Sequence, residues 1–138
     1  MKKVGVNMKI GIRLSSEALN GIAELKDFYN GNNLVDELKI TNGATIGLAL
    51  LEIKQKASLK EYDWESVIYG NMFLGKNNKA EKSSIRTSLT LDEDVISDIN
   101  QLKIVFPQFT KTKYVTTSYV IRIIVRAALS QNNLIKKI

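Results

Sequence analysis

The chain has no cysteine and no histidine among its 138 residues. Without cysteine there can be no disulfide, no thiolate metal site and no thiol nucleophile. Without histidine the commonest general base and the commonest metal ligand are missing too. Together these absences lower the expectation of catalysis, and no metal or cofactor is expected. Long apolar runs are also absent, since none approaches the ~20 residues that a membrane span needs. The segment Met1-Lys2-Lys3-Val4-Gly5-Val6-Asn7 lacks the apolar stretch of a signal peptide, so the expected location is the cytoplasm. Proline occurs once, at Pro107.

What is present is a globular composition. Apolar residues make up 44% of the chain, and the length suits one ordinary domain or two very small ones that share a core. Lys and Arg number 20 against 14 Asp and Glu, a net charge of +6. Such an excess serves either as a solubilising surface or as an electrostatic footprint for nucleic acid, and charge alone does not choose between them.

The pattern that organises the chain is a repeat. Lys9-Ile10-Gly11-Ile12-Arg13-Leu14-Ser15-Ser16-Glu17-Ala18-Leu19 reads as a short alternating strand running into a capped helix. The same pattern returns 77 positions on, from Lys9 to Arg86, as Arg86-Thr87-Ser88-Leu89-Thr90-Leu91-Asp92-Glu93-Asp94-Val95-Ile96. The helices keep this register, matching Ile22 to Ile99, Leu25 to Leu102 and Lys26 to Lys103. A repeat of this length indicates one structural unit built twice.

In the first unit Ser15 is the expected N-cap, with Glu17 in the first turn. Leu19, Ile22, Leu25 and Phe28 form the apolar stripe, and Asn30-Gly31-Asn32-Asn33 ends the helix. A second helix is expected from about Thr41, carrying Ile46, Leu48, Leu50, Leu51 and Ile53. It is apolar nearly all round, which predicts deep burial. In the second unit Ile85, Thr87, Leu89 and Leu91 form the apolar strand face, and Asp92 is the expected cap. Val95, Ile96, Ile99, Leu102 and Phe106 form the stripe, and Pro107 disfavours helix at Phe106. A last helix is expected from Thr116 or Thr117 through Val120, Ile121, Ile124, Val125, Ala128 and Leu129. Aligning Thr41 with Thr116 gives an offset of 75. The expected division is therefore 1–54 for the first unit, 55–83 for a connecting segment and 84–138 for the second, with the two units sharing one core. Within the connection, Asp63 to Met72 suggests a short helix burying Trp64, Val67 and Ile68. Gly75 to Ser83 reads as a solvated linker.

A lone strand followed by two helices leaves its own strand N–H and C=O groups unpaired. The chain supplies one partner for each strand. The expected fold is mainly α with a two-stranded antiparallel β-ribbon, paired within the chain and covered by helices on its apolar face.

Lys-Ile-Gly-Ile-Arg-Leu-Ser-Ser-Glu-Ala-Leu and Arg-Thr-Ser-Leu-Thr-Leu-Asp-Glu-Asp-Val-Ile both resemble the signature of the ribbon-helix-helix repressors of the MetJ/Arc/CopG type. The resemblance covers roughly residues 8–54 and 85–130. It implies a pseudo-two-fold tandem of ribbon-helix-helix units in one chain, whose ribbon enters the DNA major groove and whose second helices hold phosphate at their N-termini. In architecture and size the chain is also similar to the internal-dimer DNA-binding proteins of Gram-positive conjugative plasmids, of the TraN type. The partners so implied are double-stranded DNA, a second copy of the chain on adjacent DNA, and relaxosome or other plasmid proteins, with no membrane.

On the polar ribbon face the candidate base-contacting residues are Lys9, Gly11 and Arg13 with Arg86, Ser88 and Thr90. Arg and Lys can donate to guanine O6 and N7, and Ser and Thr hydroxyls can donate or accept at base edges. An exposed face kept polar for solubility is the competing explanation. Gly11 departs from the family's polar residue and suggests weaker or asymmetric readout in the first half. The candidate phosphate-contacting residues are Thr41, Asn42 and Gly43 with Thr116, Thr117 and Ser118, where helix-start N–H groups and side-chain donors converge. Plain N-capping explains these residues equally well. Arg122 and Arg126 read as a solvated helix face with backbone phosphate as their other destination, alongside Lys136-Lys137. Tyr114 and Tyr119 read as packing residues.

The leading function is therefore sequence-specific duplex DNA binding, as a repressor or as an accessory factor at a plasmid transfer origin. The alternative is an antitoxin-like protein-interaction module, docking through residues 55–83 and their exposed-looking Tyr62, Tyr69 and Phe73. Catalysis is not expected: Asp92, Glu93 and Asp94 are an acidic cluster that helix-start electrostatics explains.

Overall fold

Alternation along Asn7–Ser15 (β1) and Ser84–Asp92 (β2) gives each strand one apolar and one polar side, and the two pair antiparallel from Asn7↔Asp92 to Ser15↔Ser84. These strands form a two-stranded sheet in a computed structural model that describes residues 7–31, 40–70 and 84–134. Phe73, the Gly75–Ser83 linker, Asn32-Asn33 and Lys136-Lys137 lie outside the described residues.

Six helices complete the described architecture: α1 (Ser16–Gly31), α2 (Asn42–Lys56), α3 (Trp64–Tyr69), α4 (Glu93–Val105), α5 (Pro107–Thr110) and α6 (Thr117–Gln131). The expected caps are in place. Ser15 Oγ accepts from the Ala18 N–H at 3.1 Å, Thr41 Oγ1 from Ala44 at 3.0 Å and Thr116 Oγ1 from Tyr119 at 3.1 Å. Asp92 and Asp63 cap α4 and α3 in the same way. No described helix is long and apolar enough to cross a membrane.

One apolar cluster runs through both halves. It joins Leu14, Leu89 and Leu91 of the ribbon to Ile22 and Leu25 of α1, Ile46, Leu50 and Ile53 of α2, and Ile99 and Leu102 of α4. Helix α6 is its axis: everything from Val120 to Leu129 except Arg122 and Arg126 is buried. It packs on α1, α2, α3, α4 and β1. At about 1.5–3 kcal/mol for each large aliphatic side chain fully buried, this helix is the strongest apolar contributor to the core.

The connection after α2 is a brace. Trp64 is fully buried, donates Nε1–H to the Leu59 carbonyl at 2.7 Å, and meets Phe106 edge-on with centroids 5.0 Å apart. Leu59 and Val67 are buried beside it, so these three side chains tie the described part of 55–83 to the core. Tyr62 is half-buried against Trp64 and donates to Gln131 Oε1 at 2.8 Å, and so is not the exposed residue its sequence context suggests.

Four other expectations need correction. Leu51 is 52% exposed and Leu48 only half-buried, because one side of α2 faces an open groove of about 740 Å³ instead of another helix. Ile85 is 51% exposed, although Leu14, its partner across the ribbon, is fully buried. Phe106 keeps helical angles (φ −63°, ψ −37°) despite preceding Pro107. Its N–H still bonds Leu102 and the proline simply opens α5 at N1, where no N–H is needed. Tyr114 is 75% exposed and packs in no core.

Candidate nucleic-acid interface

Burying the apolar side of a two-stranded ribbon turns its other side outward. Lys9, Gly11 and Arg13 on β1 and Arg86, Ser88 and Thr90 on β2 are all exposed, and they share that outer face. The register pairs Lys9 with Thr90, Gly11 with Ser88 and Arg13 with Arg86. The Arg13–Arg86 pairing sets two cations directly opposite each other, an arrangement that disfavours a ribbon by a few tenths to about 1 kcal/mol. Gly11↔Ser88 is the central pair of the nine, and an atom at the Cβ position of Gly11 would lie 3.7 Å from one terminal nitrogen of Arg86. The guanidinium of Arg86 therefore leans diagonally across the ribbon toward its middle.

The starts of α2 and α6 are tied to the strands. Gly43 is buried on α2, where a Cβ would collide with the Thr90 carbonyl oxygen, so only glycine lets the helix come this close to β2. On α6 the contact is made with a side chain: Ser118 Oγ donates to the Arg13 carbonyl at 2.6 Å. Thr41 and Thr116 are exposed, and Asn42 and Thr117 are half-buried. The threonine hydroxyls accept cap bonds and keep a proton to give, whereas Ser118 has committed its proton to β1. Its backbone N–H remains the group it would present to an anion.

Arg126 is not part of a solvated face, whereas the Arg122 side chain stays 38% exposed while leaning on the same partner. Glu17, in the first turn of α1, takes both: Arg126 donates through two nitrogens to Glu17 Oε2 at 2.9 and 3.2 Å, and Arg122 Nε lies 3.2 Å from Oε1. The Arg126 and Glu17 side chains are each only 12% exposed, and Arg126 also reaches the Val67 and Ile68 carbonyls. The Arg122 guanidinium stands 5.7 Å from the centre of the Tyr119 ring. Tyr119 is half-buried with an edge-on contact to Phe106, and burial pushes its phenol up from the usual tyrosine range.

Two features escaped sequence reasoning. Glu17 reads as a dipole-compensating residue, and nothing in its own helix reveals that its partners lie more than a hundred residues away. The turn before α6 exposes Lys111, Lys113 and Tyr114 beside Thr116, and Lys111 adopts a left-handed conformation (φ 59°) that ends α5. The Lys-Thr-Lys spacing ahead of a Thr cap was the available signal. A polar cluster away from this surface is structural: Glu52 Oε1 accepts from Tyr29 and from Asn132 Nδ2, each at 2.9 Å, tying α1 and α2 to the end of α6.

The chain matches no protein-family model, no curated protein and no solved structure.

Proposed function

We propose that this protein binds double-stranded DNA sequence-specifically by laying the outer face of its β-ribbon in the major groove, as a transcriptional repressor or as an accessory factor at a plasmid transfer origin. The observation that carries the reading is the outer face itself. It is a two-stranded ribbon, the width a major groove admits, and it exposes three cations and two hydroxyls opposite an apolar side on which Leu14, Leu89 and Leu91 are buried. Two arginines and a lysine on one exposed face also suit a run of anionic phosphates and guanine edges.

The same reading takes the chain as two ribbon-helix-helix units related by an approximate two-fold axis. The repeat that carries Lys9 to Arg86 also carries Gly11 to Ser88, and these two residues are paired, which supports an axis through the ribbon's centre. Gly43 meeting the Thr90 carbonyl and Ser118 bonding the Arg13 carbonyl are then one contact made twice. The helices depart from the symmetry. Between α1 and α6, Gly21 lets Val125 close in; between α4 and α2 stand an Asp98–Lys54 ion pair at 2.7 Å and the open groove. On DNA, the starts of α2 and α6 would hold phosphates on either side of the ribbon.

The test is a fluorescence-anisotropy titration with duplexes carrying the region around the protein's own gene, against random duplex of equal length. Selective binding that is lost on truncating Arg13 and Arg86 together supports the reading, and equal affinity for all duplexes overturns it. The protein-interaction alternative loses Leu59, Trp64 and Val67, which are buried, and Tyr62, which is half-buried, but keeps Tyr69, which is 61% exposed.

A further inference from the structure

Gly11 looks like a gap in the reading surface, because it is the one position of the six with no side chain. The geometry gives it a different role. Its partner across the ribbon is Ser88, and Arg86 lies one diagonal step away on the same face. The Arg86 terminal nitrogen stands at ordinary contact distance, 3.7 Å, from where a Cβ would sit. Any side chain longer than alanine at position 11 would occupy the space through which this guanidinium crosses.

We propose that Gly11 is the seat of the Arg86 guanidinium and thereby a specificity-determining position: it lets one arginine place its donors over the centre of the ribbon, where they read a guanine beside the middle of the DNA site. This inference rests on the DNA-binding reading above and names the base class that one side chain takes. Position 88 makes the opposite choice at the axis, because Ser88 has a side chain where Gly11 has none. The residue related to Arg86 by the repeat is Lys9, whose ammonium is a point donor without the planar fork that matches guanine O6 and N7 together. The central guanine is therefore read from one side only. Weak readout in the first half, which Gly11 suggests in isolation, becomes strong readout by the second half across a vacancy in the first.

The experiment is a binding-site selection on the full chain, followed by a double-mutant cycle on the selected duplex. Wild type should select a guanine next to the centre of the site. Replacing that base with 7-deazaguanine, which lacks the N7 acceptor, should weaken wild type several-fold and leave Arg86→Ala unaffected. Gly11→Val should lose the central guanine preference and on the order of tenfold in affinity, as Arg86→Ala does. Combining the two should cost no more than Arg86→Ala alone. Valine favours a strand more than glycine does, so Gly11→Val should melt no lower than wild type, which separates displacement of the arginine from unfolding. If Gly11→Val keeps the guanine preference, or if the two losses simply add because valine strikes the DNA itself, Gly11 does not act through Arg86. Failure of wild type to select any sequence would instead remove the DNA-binding reading, and this inference with it.

Discussion

Arg13 and Arg86 are Cα partners on the exposed ribbon face, and their loss should be felt in DNA binding. Arg13→Ala and Arg86→Ala should each weaken the specific complex by about 1–3 kcal/mol and relax preference in one half of the site only. Competition assays with single-base variants of the preferred duplex measure this, and a loss spread evenly over the site contradicts it. Gly43 is the opposite kind of residue, set by packing. Gly43→Ala drives a methyl against the Thr90 carbonyl oxygen and should cost roughly 1–3 kcal/mol of folding stability, read as a lower urea midpoint. An unchanged midpoint would mean that α2 can back away from β2 freely.

At the scale of elements, α2 and α6 each begin at a threonine whose hydroxyl caps the helix. Thr41→Ala and Thr116→Ala should each lose about 1 kcal/mol of stability. They should also weaken binding to every duplex alike, because phosphate carries no base identity. A change in sequence preference would move these residues from positioning to reading. The elements themselves were largely legible. Period-two alternation located both strands, and Ser15, Thr41, Asp92 and Thr116 announced their helices, because strand faces and caps are local properties. What the sequence hid was tertiary. The apolar surface of α2 implied burial on all sides, but only a neighbour's position could show that Leu51 faces a groove. Arg126 looked solvent-facing until folding brought Glu17 to it. The outer ribbon face was readable as a set of six positions, whereas the lean of Arg86 over Gly11 depends on which residues are opposed, and register is fixed only when the strands pair.

For the whole molecule, both strands of the ribbon come from one chain, and one apolar cluster joins the helices of both halves. The protein should therefore be a folded monomer by light scattering; an obligate dimer with strands paired between chains contradicts this. With ~4–6 phosphates neutralised, log K against log[salt] should slope by roughly −4 to −5. With no histidine in the chain, the affinity should change little between about pH 6 and 8. A flat salt response would indicate a partner other than nucleic acid. The two strands also present different side chains, Lys9, Gly11 and Arg13 against Arg86, Ser88 and Thr90. A homodimeric ribbon reads the same bases twice and favours palindromes; this one should not.

Selection of wild-type protein against a pool of random duplexes tests that claim most directly. Enrichment of one site that is asymmetric about its centre is the predicted result. Enrichment of a perfect palindrome, or of no sequence at all, would contradict the ribbon as the surface that reads DNA.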